Sequence, residues 1–161
     1  MRVLAFDQST KITGWSLFIE ERYVDSGVID LGKNKNTEER SKQMGLAICQ
    51  VITDNKPDIV IIEEVAMQSN AQTLKLLARI QGVAIGFCAA HNIPLYILEP
   101  SKWRSALGFK QGRAVKREEL KEQSLDYVKK NFGFDHFSED RCEAICINVA
   151  AHKIFDFDDE I

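Results

Sequence analysis

Two short runs, residues 2–6 and 58–62, are almost continuously apolar, and each stops on an acid: Asp7 after the first, Glu63 after the second. A strand that is apolar on both faces must be covered on both faces, which places it in the middle of a sheet flanked by helices. Ending such a strand in a carboxylate carries the charge to the sheet's carboxyl edge, where open α/β sheets bind ligands in a crevice. The chain is thereby held to a layered α/β fold with acids along one edge.

The remaining elements follow from periodicity and end signals. Residues 12–19 and 23–31 are rich in β-branched and aromatic side chains and are joined by Glu20-Glu21-Arg22, so with the first strand they predict a three-stranded antiparallel meander. Asn36, with Glu39 three positions on, predicts a capping box opening a helix to about Asp54, with Met44, Ala47, Ile48, Val51 and Ile52 as its buried stripe. A helix over 70–91 is expected to bury Leu74, Leu77, Ala84, Phe87 and Cys88, and its Gly82 and Gly86 permit close helix packing.

A strand over 94–99, a short helix over 100–107, a loop over 108–112 and a charged helix over 113–131 come next. Ser138 then caps a last helix to about Lys153, and the acidic tail 155–161 is expected to fray. This order gives a five-stranded mixed sheet with helices on both faces, in one domain covering residues 1–161.

With 161 residues, 45% of them hydrophobic, the chain can bury roughly two thirds of its unfolded surface. No leader segment and no apolar run of bilayer length stands out, so a soluble, intracellular, cytoplasmic protein with no membrane partner is expected. The four cysteines lack zinc-knuckle spacing and read as reduced structural residues. A net charge of −3 argues against wholesale coating of nucleic acid. Locally the balance reverses: Lys102, Arg104, Lys110, Arg113, Lys116 and Arg117 occur with no acid among them. Trp103 and Phe109 are interleaved there, as suits phosphate contacts with an aromatic wedge, or two buried aromatics under a solvated surface.

Asp140 and Glu143, three apart at a helix start, project from one face. If that helix end meets the sheet edge, four carboxylates converge with Asp7 and Glu63, and their repulsion calls for cations. Hard oxygen donors without His or Cys select Mg²⁺ or Mn²⁺, and two such ions hydrolyse phosphodiesters without a protein nucleophile. Taken singly, each acid also has a plain role as a turn or helix-start residue. His136, four residues before Asp140, could assist proton transfer or be structural, and Met67, Gln68 and Asn70 either rim the crevice or start a helix.

Several stretches together resemble the RuvC-like Holliday junction resolvases, which have a ribonuclease H-like fold. They are Ala5-Phe6-Asp7-Gln8-Ser9 with Thr13-Gly14, Ile62-Glu63-Glu64-Val65, the run from Leu74-Lys75 to Gly82-Val83-Ala84-Ile85, and Asp140-Arg141-Cys142-Glu143-Ala144. The resemblance implies that Asp7, Glu63, Asp140 and Glu143 ligate metal, that Arg104 and Lys116 contact DNA, and that Lys116 stabilises developing charge. It further implies a homodimer that nicks a four-way junction at two symmetric points, leaving 5′-phosphate ends. The chain departs from the family pattern with Glu143 in place of Asp, Arg104 in place of a common Lys, and Ala66 where some members carry an aromatic.

Three rival readings fit parts of the sequence. An actin-like or sugar-kinase phosphate loop at Asp7-Gln8-Ser9-Thr10 would need a second domain for which there is no room. The others are a same-fold nuclease for forks, flaps or RNA–DNA hybrids, and a junction binder without catalysis.

Overall fold

The computed structural model describes residues 1–67 and 70–157. Five strands run β1 (Arg2–Asp7), β2 (Ile12–Ile19), β3 (Arg22–Asp30), β4 (Ile59–Glu63) and β5 (Leu95–Leu98). The helices are α1 (Thr37–Asn55), α2 (Ala71–Ala90), α3 (Pro100–Ala106), α4 (Arg117–Phe132) and α5 (Glu139–Ile154). The sheet order is β3-β2-β1-β4-β5, antiparallel on the β3 side and parallel from β1 to β5. The five-stranded mixed sheet expected from the sequence is therefore present.

The two-residue period of a strand sorts the core into two layers. Leu4, Phe6, Val60 and Ile62 face Met44, Ile48 and Ile52 of α1 and Ile80, Ala84 and Cys88 of α2. Val3, Ala5, Ile59 and Ile61 face the other way, onto Trp103 of α3, Val128 of α4 and Ile145 and Ala150 of α5. Asp7 has the parity of Val3 and Ala5, and Glu63 that of Ile59 and Ile61, so the strand pattern that builds the core also sends both acids to the α5 side.

Helix α5 is fastened across this layer by buried polar bonds. Ser16 Oγ donates to the Ala144 carbonyl at 2.8 Å, and Asn148 Nδ2 donates to the carbonyls of Val3 at 3.0 Å and Ser16 at 3.1 Å. Both side chains are fully buried, where each such bond is costly to lose. Gly14 of β2 lies against the start of the same helix: a Cβ there would stand 1.9 Å from the Asp140 carbonyl oxygen.

Several local expectations are corrected. The α2 stripe is Leu76, Ile80, Ala84 and Cys88, with Leu74, Leu77 and Phe87 only half-buried, because the helix carries more apolar residues than one inward stripe holds. Gly82 and Gly86 meet nothing within 4 Å, and the close α1–α2 approach instead uses Gly45 against Val83. By length and composition α2 is also apolar enough to cross a bilayer, contrary to the sequence reading; part of that apolarity is its core stripe. The capping box is half formed: Asn36 Oδ1 accepts from the Glu39 N–H, but the Glu39 carboxylate accepts from Gln43.

Helix α4 starts at Arg117, with Lys116 as its N-cap and Arg113 in the preceding turn. The tail does not fray through Phe157, which is buried and packs near Tyr96 and Phe155; its residues 158–161 lie outside the described ones. The four cysteines are free thiols.

Candidate active site

β1 and β4 are parallel neighbours with Phe6 paired to Ile62, so Asp7 and Glu63 leave the sheet side by side at its carboxyl edge. Ser138 caps α5 by accepting from the Arg141 N–H, and the first turns beyond it bring Asp140 and Glu143 over that edge. Asp7, Asp140 and Glu143 each offer a carboxylate oxygen within 4.8 Å of the others. Glu63 stands outside this trio, with its Oε1 accepting from the Trp103 indole Nε1 at 2.7 Å.

Three carboxylates this close repel by on the order of 3 kcal/mol per pair at an effective dielectric of about 20. Protonation relieves that repulsion. Burial first, then the charges of Glu63, Glu143 and Asp140, holds the Asp7 carboxyl well above the usual range. Burial and then Glu63 push Glu143 up to about 7, against the partial relief of Arg104 and Lys121. Burial also raises Glu63, opposed by the Trp103 bond and by Arg104. The cluster therefore lacks positive charge, and its all-oxygen donor set fits hard divalent cations.

The cleft has a volume of about 280 Å³, with Gln8, Ser9 and Thr10 from the β1–β2 turn on its wall. Both amide atoms of Gln8 are buried without a hydrogen-bond partner. Glu64 also lines the cleft, but its Oε1 accepts from the Val65 N–H. Ala66 occupies the rim, and Met67 beside it is 88% exposed. Asn70 serves as the N-cap of α2, accepting from Gln72 and Thr73, while Gln68 lies outside the described residues.

Of the six basic residues singled out in the sequence, Arg104 and Arg117 reach the cleft. Arg104 is partly committed inward, with Nη2 3.9 Å from Glu143 Oε1 and its guanidinium 4.8 Å from the Trp103 ring centre. Lys102 pairs with Glu99, and Lys110, Arg113 and Lys116 are exposed away from the cleft lining. Lys116 is thus set apart from the acids. Lys121, which sequence reasoning missed, lines the cleft and bonds Glu139 at 2.5 Å. Its four-residue spacing from Arg117 was the available signal, since those positions share a helix face.

Trp103 is fully buried, which rules out an exposed wedge and leaves the buried-aromatic alternative. His136 is exposed, pairs with Asp135 and is absent from the cleft lining. His91 bonds the Phe87 carbonyl, and His152 packs among Phe18 and Phe157.

A mixed sheet in this strand order, with acids from β1, β4 and the final helix meeting at its carboxyl edge, defines a ribonuclease H-like protein with an acidic, cation-seeking cleft. The family model for the crossover junction endodeoxyribonuclease RuvC matches residues 3–131, and the chain belongs to that family. The RuvC of Caldicellulosiruptor saccharolyticus is 30% identical over 72% of this chain and 72% of its own length. That of Trichlorobacter lovleyi is 27% identical over 92% and 83%. The fold is that of the T. thermophilus RuvC solved in complex with Holliday junction substrate, with a TM-score of 0.73 and 16% identity over 94% of this chain and 93% of that one. The yeast mitochondrial Holliday junction resolvase Ydc2 superposes with a TM-score of 0.56 at 16% identity, covering 92% and 76%.

Proposed function

We propose that this chain is a structure-specific endodeoxyribonuclease that resolves four-way DNA junctions in recombination and repair. The observation that carries this reading is the meeting of Asp7, Asp140 and Glu143, with Glu63 beside them, in a cleft that Arg104, Arg117 and Lys121 also line. Asp7, Glu63, Asp140 and Glu143 would hold two Mg²⁺ or Mn²⁺ ions. When bound, such ions supply the positive charge that the attacking and leaving oxygens of a phosphodiester need.

The chain's own groups do the rest. The Asn148 and Ser16 bonds fix α5, so Asp140 and Glu143 are held before substrate arrives, and little reorganisation is required in the transition state. Arg117 and Lys121 occupy the α4 position at the cleft that the sequence reading gave to Lys116, and they draw the DNA backbone toward the acids. Lys102, Lys110, Arg113 and Lys116 extend the phosphate-binding surface beyond the cleft.

The working unit in this reading is a homodimer. The outer face of α2 supports it: Ile85 is 39% exposed, and Gly82 and Gly86 face open space. Such a face lets the same helix of a second copy approach closely around a two-fold axis. It also gives one junction two cleavage sites. Branched DNA arises inside the cell, and the protein is placed there as a soluble enzyme.

The test is cleavage of a labelled four-way junction beside fork, flap, duplex and RNA–DNA hybrid, with Mg²⁺, Mn²⁺ or chelator. Paired symmetric nicks ending in 5′-phosphate are expected, lost in Asp7→Asn and Asp140→Asn while junction binding persists. Preference for forks or hybrids would reassign the substrate, and undiminished metal-dependent cutting by both variants would remove the site.

A further inference from the structure

Trp103 and Glu63 form a contact that the cluster itself does not need. An indole has one donor and no acceptor, so the 2.7 Å bond runs from Trp103 Nε1 to Glu63 Oε1. The ring cannot easily leave. It is fully buried, Phe109 meets it edge-on at 5.7 Å, and the Arg104 guanidinium covers it at 4.8 Å. The Glu63 backbone is equally fixed, with its carbonyl accepting from Gln81 Nε2 at 3.1 Å. One oxygen of Glu63 is therefore held by the indole, while the carboxylate also bonds Asp7 and lines the cleft.

We propose that Trp103 is a positioning residue that restricts Glu63 to one-oxygen ligation and so favours Mg²⁺ over Ca²⁺ at this site. The proposal rests on the metal-dependent reading above. Ca²⁺ takes six to eight oxygens in flexible geometry and accepts both oxygens of a carboxylate, whereas Mg²⁺ demands near-octahedral geometry and retains much of its water. A carboxylate with one oxygen already engaged suits the smaller ion. Freed from the indole, Glu63 can turn and offer both oxygens to the larger one.

The test is calorimetric titration of wild type and Trp103→Phe with Mg²⁺ and with Ca²⁺, in the absence of DNA. Loss of one charge-assisted bond is expected to shift the ratio of the two affinities toward Ca²⁺ by about tenfold. An unchanged ratio in folded Trp103→Phe overturns the proposal.

A second measurement needs no change at Trp103. The chain has two tryptophans, so its ¹⁵N–¹H spectrum holds two indole resonances, assignable with Trp15→Phe. The Trp103 resonance is expected to shift on Mg²⁺ titration and to move upfield in Glu63→Gln. If it ignores both, the proposal fails. If the wild-type chain binds no Mg²⁺ while Glu63→Gln still moves the resonance, the hydrogen bond stands but the metal reading falls, and the proposal falls with it.

Discussion

Replacing Gly14 by alanine tests whether the placement of α5 sets activity. Gly14 pairs directly with Asp7 across β1 and β2. The added Cβ would stand 1.9 Å from the Asp140 carbonyl oxygen, 2.5 Å from its carbonyl carbon and 3.2 Å from the Arg141 nitrogen. Ordinary contact begins near 3.5 Å, so the start of α5 must retreat by roughly 1.5 Å. The helix cannot translate as a whole, because Ser16 and Asn148 hold its middle. Its first turn must tilt, taking Asp140 and Glu143 away from Asp7. Misplacement by about 1 Å costs on the order of 100-fold in rate, and the overpacking costs about 1–3 kcal/mol of stability. The assay is single-turnover junction cleavage in Mg²⁺ at saturating protein, with binding in Ca²⁺ and urea denaturation as controls. Cleavage should fall about 100-fold with binding nearly unchanged. A folded Gly14→Ala protein cutting at close to the wild-type rate would refute the reasoning.

Two further outcomes follow from the same geometry. Glu143 binds its proton more tightly folded than unfolded, so its stabilising contribution is complete below its ordinary value of 4.5 and is lost as pH rises through about 7. With chelator present, the protein should be less stable to urea at pH 8 than at pH 5 by about 3 kcal/mol, a difference that Mg²⁺ or Glu143→Gln reduces. Ile85→Glu places a charge on the apolar outer face of α2. Sedimentation should then show a monomer, and the paired nicks should become uncoordinated single ones.

Much of this was legible in the sequence, for reasons that vary by element. β1 and β4 were readable because burial on both faces demands uninterrupted apolar residues, and their terminal acids then had only one edge to occupy. Asp140 and Glu143 were readable because three-residue spacing on a helix fixes a shared face. Helix α2 was only partly so, because Leu74 and Leu77 lie at least as far from its polar residues Gln72, Lys75 and Arg79 as the buried Leu76 and Ile80 do, and docking decides between them. Trp103 could be placed on α3 but not assigned a partner, since its bond to Glu63 spans 40 residues and depends on how α3 docks. Lys121 lay hidden in a helix with many charges, where only docking decides which one meets the cleft. Gly14 could be seen as a glycine in a strand, but its neighbour Asp140 comes from the far end of the chain.

That long separation has a consequence for synthesis. The Asn148 amide closes onto Val3 across 145 residues, and the acids of β1 and β4 wait for two partners on the last helix. A chain made only as far as Ser138 carries Asp7 and Glu63 but neither Asp140 nor Glu143. Contacts of such span form late and slowly. In the proposed site the set of four acids is therefore complete only once residues 139–154 have been made and docked on the sheet.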